Sequence, residues 1–103
     1  MQIIWDQAVA EKLMNSHTIL ELETFNVDDK QLTAYCVVPA EKILSEMAQL
    51  AGNKELHVAF VTAFNEKDYP RCLELYTHLM GKFGGEVDTF YEEIVNRINN
   101  MAT

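Results

Sequence analysis

The spacing of apolar residues changes twice along the chain, from a helical period to an alternating one and back. Trp5, Val9, Leu13 and Ser16 recur at helical intervals behind Asp6, a residue type whose carboxylate accepts the free N–H groups of a first turn. This predicts a helix over 7–16 with a narrow apolar side, lying on the surface. Over 18–25 the period becomes two: Leu20 and Leu22 alternate with Glu21 and Glu23, the pattern of a half-buried strand. Residues 26–30 are turn chemistry, and 31–38 is a second strand rich in β-branched and aromatic side chains. Together they predict an antiparallel hairpin over about 18–38. A hairpin is not stable alone in water, so it has to lie on other elements or extend a sheet in another molecule. Met1 to Ile4 is expected to pack as a short extended segment.

From residue 39 the helical period returns. Pro39 opens a helix over 40–51, with Ile43, Leu44, Met47, Leu50 and Ala51 as its stripe and Gly52 as its stop. Asn53 then caps a helix over 54–66. Leu56, Ala59, Phe60, Ala63 and Phe64, widened by Val58 and Val61, make it apolar on several sides and therefore central. Asp68 caps the next helix, with Pro70 in its first turn and Cys72, Leu73, Leu75, Tyr76, Leu79 and Met80 on its apolar face. Gly81, Gly84 and Gly85 break the chain. The last helix begins near Glu86 or Asp88, with Thr89 and Glu92 at capping-box spacing and Phe90, Tyr91, Ile94, Ile98 and Met101 in its stripe. The predicted order is α-β-β-α-α-α-α. Segregated strands and helices indicate an α+β fold, mainly helical, in which one hairpin packs on a small helical bundle over 39–100. Its 103 residues fit a single compact domain.

The run AFNEKDYPRCLELYTHLM resembles the helical hairpin of a tetratricopeptide repeat, with Phe64 as the aromatic of the first helix, Asp68-Tyr69 in the turn, and Cys72 and Tyr76 on the second helix. Lys67 stands where that family often has glycine. One repeat period, about 34 residues, before Tyr69 lies the predicted β-hairpin, so there is no second copy. The resemblance implies an antiparallel helix pair and not a repeat array.

Charge narrows the partners. Sixteen acidic against eight basic residues give a net charge of −8. That field repels phosphate backbones and anionic membrane surfaces, so neither direct nucleic-acid binding nor membrane association is expected; a basic protein, or one with a basic groove, is the favoured partner. No apolar run approaches the roughly 20 residues of a spanning helix, and the N-terminus lacks the basic and apolar regions of a secretory signal. A cytoplasmic protein is expected. Its two cysteines, Cys36 and Cys72, are too few for a disulfide framework and are expected buried and reduced.

Catalytic chemistry finds little purchase. His17, His57 and His78 show no metal-ligand spacing and are expected at the surface or its boundary. Cys72 lies beside Arg71 near a helix N-terminus, but its leucine neighbours favour burial. An enzyme would need Cys72, His57, His78 and Tyr76 to converge. The glycine-rich turn at 81–85 follows a helix instead of a strand and reads as a C-cap, not a phosphate loop. No catalytic residue, metal or cofactor is assigned.

Two acidic clusters stand out: Glu21, Glu23, Asp28 and Asp29 on the hairpin, and Glu86, Asp88, Glu92 and Glu93 at the start of the last helix. If Leu20 and Leu22 face inward, strict alternation places Ile19 and Phe25 on the outer sheet face with Glu21 and Glu23, joined by Tyr35 and Val37. An apolar strip rimmed by carboxylates marks a protein interface. The expected function is a non-enzymatic acidic protein-binding module or regulator, with the hairpin also offering a route to a homodimer. By analogy, such a chain fits accessory proteins of phages and mobile elements that act on a host protein. The alternative is an acidic mimic of nucleic acid that inhibits a nucleic-acid-binding protein, which requires both clusters coplanar and unpaired.

Overall fold

A computed structural model describes residues 2–101. Strand β1 (Gln2–Ile4) and helix α1 (Gln7–Leu13) precede the hairpin of β2 (His17–Val27) and β3 (Lys30–Pro39). Two 3-10 turns, Ala40–Lys42 and Leu44–Gln49, lead into α2 (Leu50–Asn65), α3 (Tyr69–Leu79), a third 3-10 turn (Phe83–Gly85) and α4 (Asp88–Met101). The fold is α+β. The sheet is antiparallel and three-stranded in the order β1-β3-β2, so the predicted hairpin acquires a third strand and a strand precedes the first helix. Asp6 caps α1 as predicted, its Oδ1 accepting from the N–H groups of Ala8 at 2.8 Å and Val9 at 3.4 Å. Asp28 and Asp29 both take positive φ, the geometry of a two-residue hairpin turn between Val27 and Lys30.

The core lies on the sheet face that carries Leu20, Leu22, Ala34, Cys36 and Val38. Against it pack Phe60 and Ala63 of α2, Cys72, Leu75 and Leu79 of α3, and Phe90, Tyr91, Ile94 and Ile98 of α4. On the opposite face α1 packs across β2 and β3, and there Ala10 and Val37 are buried. The helix pair of α2 and α3 forms as the resemblance implies: Asp68 caps α3 at Arg71 and the Phe64 and Tyr69 rings stand 6.1 Å apart.

Most of the predicted helix over 40–51 is not α-helical: residues 40–49 form the two 3-10 turns and the bend between them, and Leu50 and Ala51 already belong to α2. Only Ile43 of the predicted stripe is buried, while Leu44 and Met47 are exposed. Ile43 is the bend between the two 3-10 turns; its side chain enters the core and its carbonyl oxygen accepts from the Glu46 N–H at 2.9 Å. The Glu46 carboxylate then accepts from two successive N–H groups, Phe83 and Gly84, at 2.8 Å each. At Gly84, with φ +64°, an added Cβ would collide with the Lys42 carbonyl oxygen, so only glycine fits this close approach. Gly52 and Asn53 do not stop and restart the helix; both lie inside α2, and Asn53 is buried. Thr89 likewise falls within α4 and not at its cap.

Candidate interaction site

His57 is 1% exposed, not at the surface as its sequence context suggests. It shares a face of α2 with Asn53 and Phe60, at intervals of four and three residues. Its Nε2 lies 2.7 Å from the Glu21 carbonyl oxygen, and its Nδ1 lies 2.8 Å from the Tyr91 hydroxyl. A carbonyl only accepts, so Nε2 carries the proton and Nδ1 accepts from Tyr91. Burial lowers the His57 pKa below its usual 6.5, with the Glu21 carbonyl as a smaller opposing influence. Burial likewise pushes the Tyr91 hydroxyl up. One neutral imidazole therefore ties β2, α2 and α4 together.

The other groups considered for catalysis lie elsewhere. The Cys72 thiol is buried and donates to the Phe60 carbonyl oxygen, and desolvation pushes its pKa to about 11. This is the opposite of a nucleophile's setting. His78 is exposed and Tyr76 half-buried on α3. Cys36 is also a buried free thiol, raised to about 11 by burial. Among the described residues no group of three His, Cys, Asp or Glu side chains is arranged to hold a metal ion, and no helix is long and apolar enough to cross a membrane.

The hairpin residues proposed as one outer strip divide between two faces. Pairing runs Glu21 with Tyr35 and then Thr24 with Thr33, three steps on β2 against two on β3. Leu22 and Glu23 thus form a bulge opposite Ala34, and the alternation of faces reverses beyond it. Before the bulge, Ile19, Glu21, Tyr35 and Val37 share the α1 face, where Val37 is buried, Ile19 and Tyr35 are half-buried and Glu21 is exposed. From the bulge on, Glu23 and Phe25 turn to the opposite face, the one that carries α2, α3 and α4. There Phe25 meets the exposed Trp5, with ring centroids 5.8 Å apart.

This produces a surface groove. Leu22, Ala34 and Phe90 floor it, Ile3, Trp5 and Phe25 wall it, and Glu23, Arg97 and Glu93 close one rim. The Arg97 guanidinium donates to both Glu23 oxygens, at 2.9 and 2.8 Å, and to Glu93 at 2.9 Å. Its hydrogen bond to Glu23 is the main cause holding its pKa up. One arginine thus joins the two acidic clusters. Their other members have separate positions: Glu86 faces Lys42 at 3.8 Å, Asp88 accepts from the Gly81 N–H at 2.9 Å, Asp28 and Asp29 form the hairpin tip, and Glu92 is exposed.

Past the bulge the hairpin is amphipathic. Phe25, Val27 and Leu32 are 36%, 46% and 40% exposed on the groove side, while Thr24, Asn26, Gln31 and Thr33 point the other way. Strict alternation missed this face, as well as Ile3, Trp5, Leu32 and Arg97. The adjacent Leu22-Glu23 pair on a strand otherwise alternating gave no visible sign of the bulge. No protein-family model, curated protein or solved structure matches the chain.

Proposed function

We propose that this chain is a non-enzymatic protein-binding module whose docking face is the groove side of the distal hairpin. The observation that carries this proposal is the clustering of exposed Ile3, Trp5, Phe25, Val27 and Leu32 around that end of the sheet, bordered by Glu23, Arg97 and Glu93. Aromatic and aliphatic side chains ringed by charge are the anatomy of a protein interface. A two-stranded ribbon with one uncovered apolar face also gains stability when something covers it. A nucleic-acid mimic is less well supported, because Glu23, Glu86, Asp88 and Glu93 are engaged within the chain.

The test is affinity capture from the native cell with the wild-type chain and the Trp5→Ser/Phe25→Ser double variant side by side, followed by native mass spectrometry. A partner held by the wild type and lost by the folded variant is the expected result. Equal capture by both chains, or a clean monomer without partner, overturns the proposal. A homodimer abolished by the same variant would identify the second copy as that partner.

A further inference from the structure

We infer that the groove receives a lysine or arginine side chain from a basic segment of the partner, its aliphatic stem against Trp5 and Phe25 and its cationic head at Glu93. This rests on the docking function proposed above and adds the chemistry of what docks.

Three observations converge on it. The first is the order of chemistry along the groove. Its walls are Ile3, Trp5 and Phe25, and its rim is the carboxylate pair Glu23 and Glu93 with the Arg97 guanidinium between them. A lysine or arginine presents the same order, an apolar stem and a charged head, and the head gains further from an aromatic face. The groove is about 160 Å³, suited to one long side chain instead of a helix.

The second is that the rim already holds such a group. Arg97 spans Glu23 and Glu93 from α4, so the carboxylates are placed at guanidinium distances. Two carboxylates against one guanidinium leave an excess negative charge. It falls on Glu93, whose side chain is 59% exposed and has only one oxygen bonded to Arg97.

The third is the field around the groove. Asp28 and Asp29 stand at the hairpin tip with Lys30 next in sequence, and the chain as a whole carries −8. An acidic occupant is repelled, a second copy brings another −8 to the contact, and a purely apolar one strips water from Glu93 without replacing it.

Trp5 is the sole tryptophan and lines the groove, so its fluorescence reports occupancy directly. The probes are three capped peptides, KLRLK, SLSLS and ELELE, titrated against the full chain. KLRLK is expected to change Trp5 emission saturably and to bind several-fold more weakly when salt rises from about 50 to about 300 mM. Glu93→Gln is expected to weaken KLRLK by about three- to fivefold, the range of one exposed ion pair, with an unchanged thermal midpoint as evidence of folding. Equal or tighter binding of SLSLS or ELELE overturns the basic occupant but leaves a docking groove in place. Unaltered KLRLK affinity in Glu93→Gln removes Glu93 as the receptor of the head group. If none of the three peptides moves Trp5 emission, both the occupant and the docking function assigned to this groove fall.

Discussion

The two halves of the β2–β3 hairpin share a strand pair and differ in nearly everything else. Up to Leu22 one face of the ribbon lies in the core, with Leu20, Leu22, Cys36 and Val38, and the other is partly covered by α1, with Val37 buried and Ile19 and Tyr35 half-buried. Beyond the bulge at Leu22 and Glu23, residues from Thr24 through Leu32 are exposed, although Phe25, Val27 and Leu32 are apolar. The bulge makes the difference. Without it Phe25 would continue on the α1 face; with it, Phe25 reaches Trp5 and Glu23 reaches Arg97. A single extra residue thus separates a half that stabilises the fold from a half that faces outward.

The sharpest way to break this comparison is to remove one large side chain from the core that backs the proximal half. Phe60 is fully buried, with its ring 5.1 Å from Tyr91 in an edge-on arrangement. Phe60→Ala is expected to lower unfolding free energy by about 3 to 5 kcal/mol, enough to unfold much of the population of a small domain. Urea denaturation followed by circular dichroism measures it. A loss under about 1 kcal/mol would mean that this half is not the stabilising one.

His57 offers a subtler probe of the same half. Its folded pKa is lowered, so between that value and 6.5 the unfolded chain binds the proton and the folded chain does not. Stability is therefore full above about pH 6.5 and falls as the pH drops below it, with a slope of at most about 1.4 kcal/mol per unit from one group. Protonation would put a second donor at Nδ1, facing a Tyr91 hydroxyl that now donates. Urea midpoints between about pH 6.5 and 5, above most carboxylate titration, test the sign. His57→Gln is expected to be less stable at neutral pH and to flatten the dependence. A wild-type midpoint that rises on acidification contradicts the buried neutral imidazole.

At the junction the expected effects shrink. Arg97 is partly exposed and so are its partners, so Arg97→Gln should cost about 1 kcal/mol or less. Its more telling consequence is local. Losing the tie between α4 and Glu23 should speed amide hydrogen exchange in the distal ribbon while leaving Leu20 and Cys36 protected. Uniform acceleration in both halves would mean that the bulge is no boundary.

These contrasts also show where the sequence was legible. Periodicity placed the hairpin, the α2–α3 pair and the last helix, because each has a sustained apolar repeat. It missed the 3-10 geometry of residues 40–49, since Ile43, Leu44 and Met47 fit a helical stripe although only Ile43 has a core to enter. His57 reads as a surface residue when its polar type is taken alone. Its spacing from Asn53 and Phe60 and the need of a buried tyrosine for a partner were the available signals. The acidic clusters were legible as charge, but their joining through Arg97 depends on tertiary placement 74 residues apart. The division of the proposed strip between two faces followed from one bulge, which alternation cannot register.

A modest expected effect on stability is the most informative for the distal half. Phe25 is 36% exposed and its ring contact is with Trp5, itself 50% exposed. Phe25→Ser removes a partly solvated ring and one aromatic contact of the order of 0.5 to 1.5 kcal/mol, and relieves the chain of an uncovered apolar side chain. The expected outcome is a shift in the urea midpoint of about 1 to 2 kcal/mol equivalent, well short of Phe60→Ala, a red shift of Trp5 emission as its neighbour is lost, and loss of partner capture. Phe60→Ala should do the reverse, a large stability change through a residue no partner can touch. If Phe25→Ser instead destabilises the chain as much as Phe60→Ala, the distal ribbon belongs to the folding core and its apolar face needs no partner to explain it.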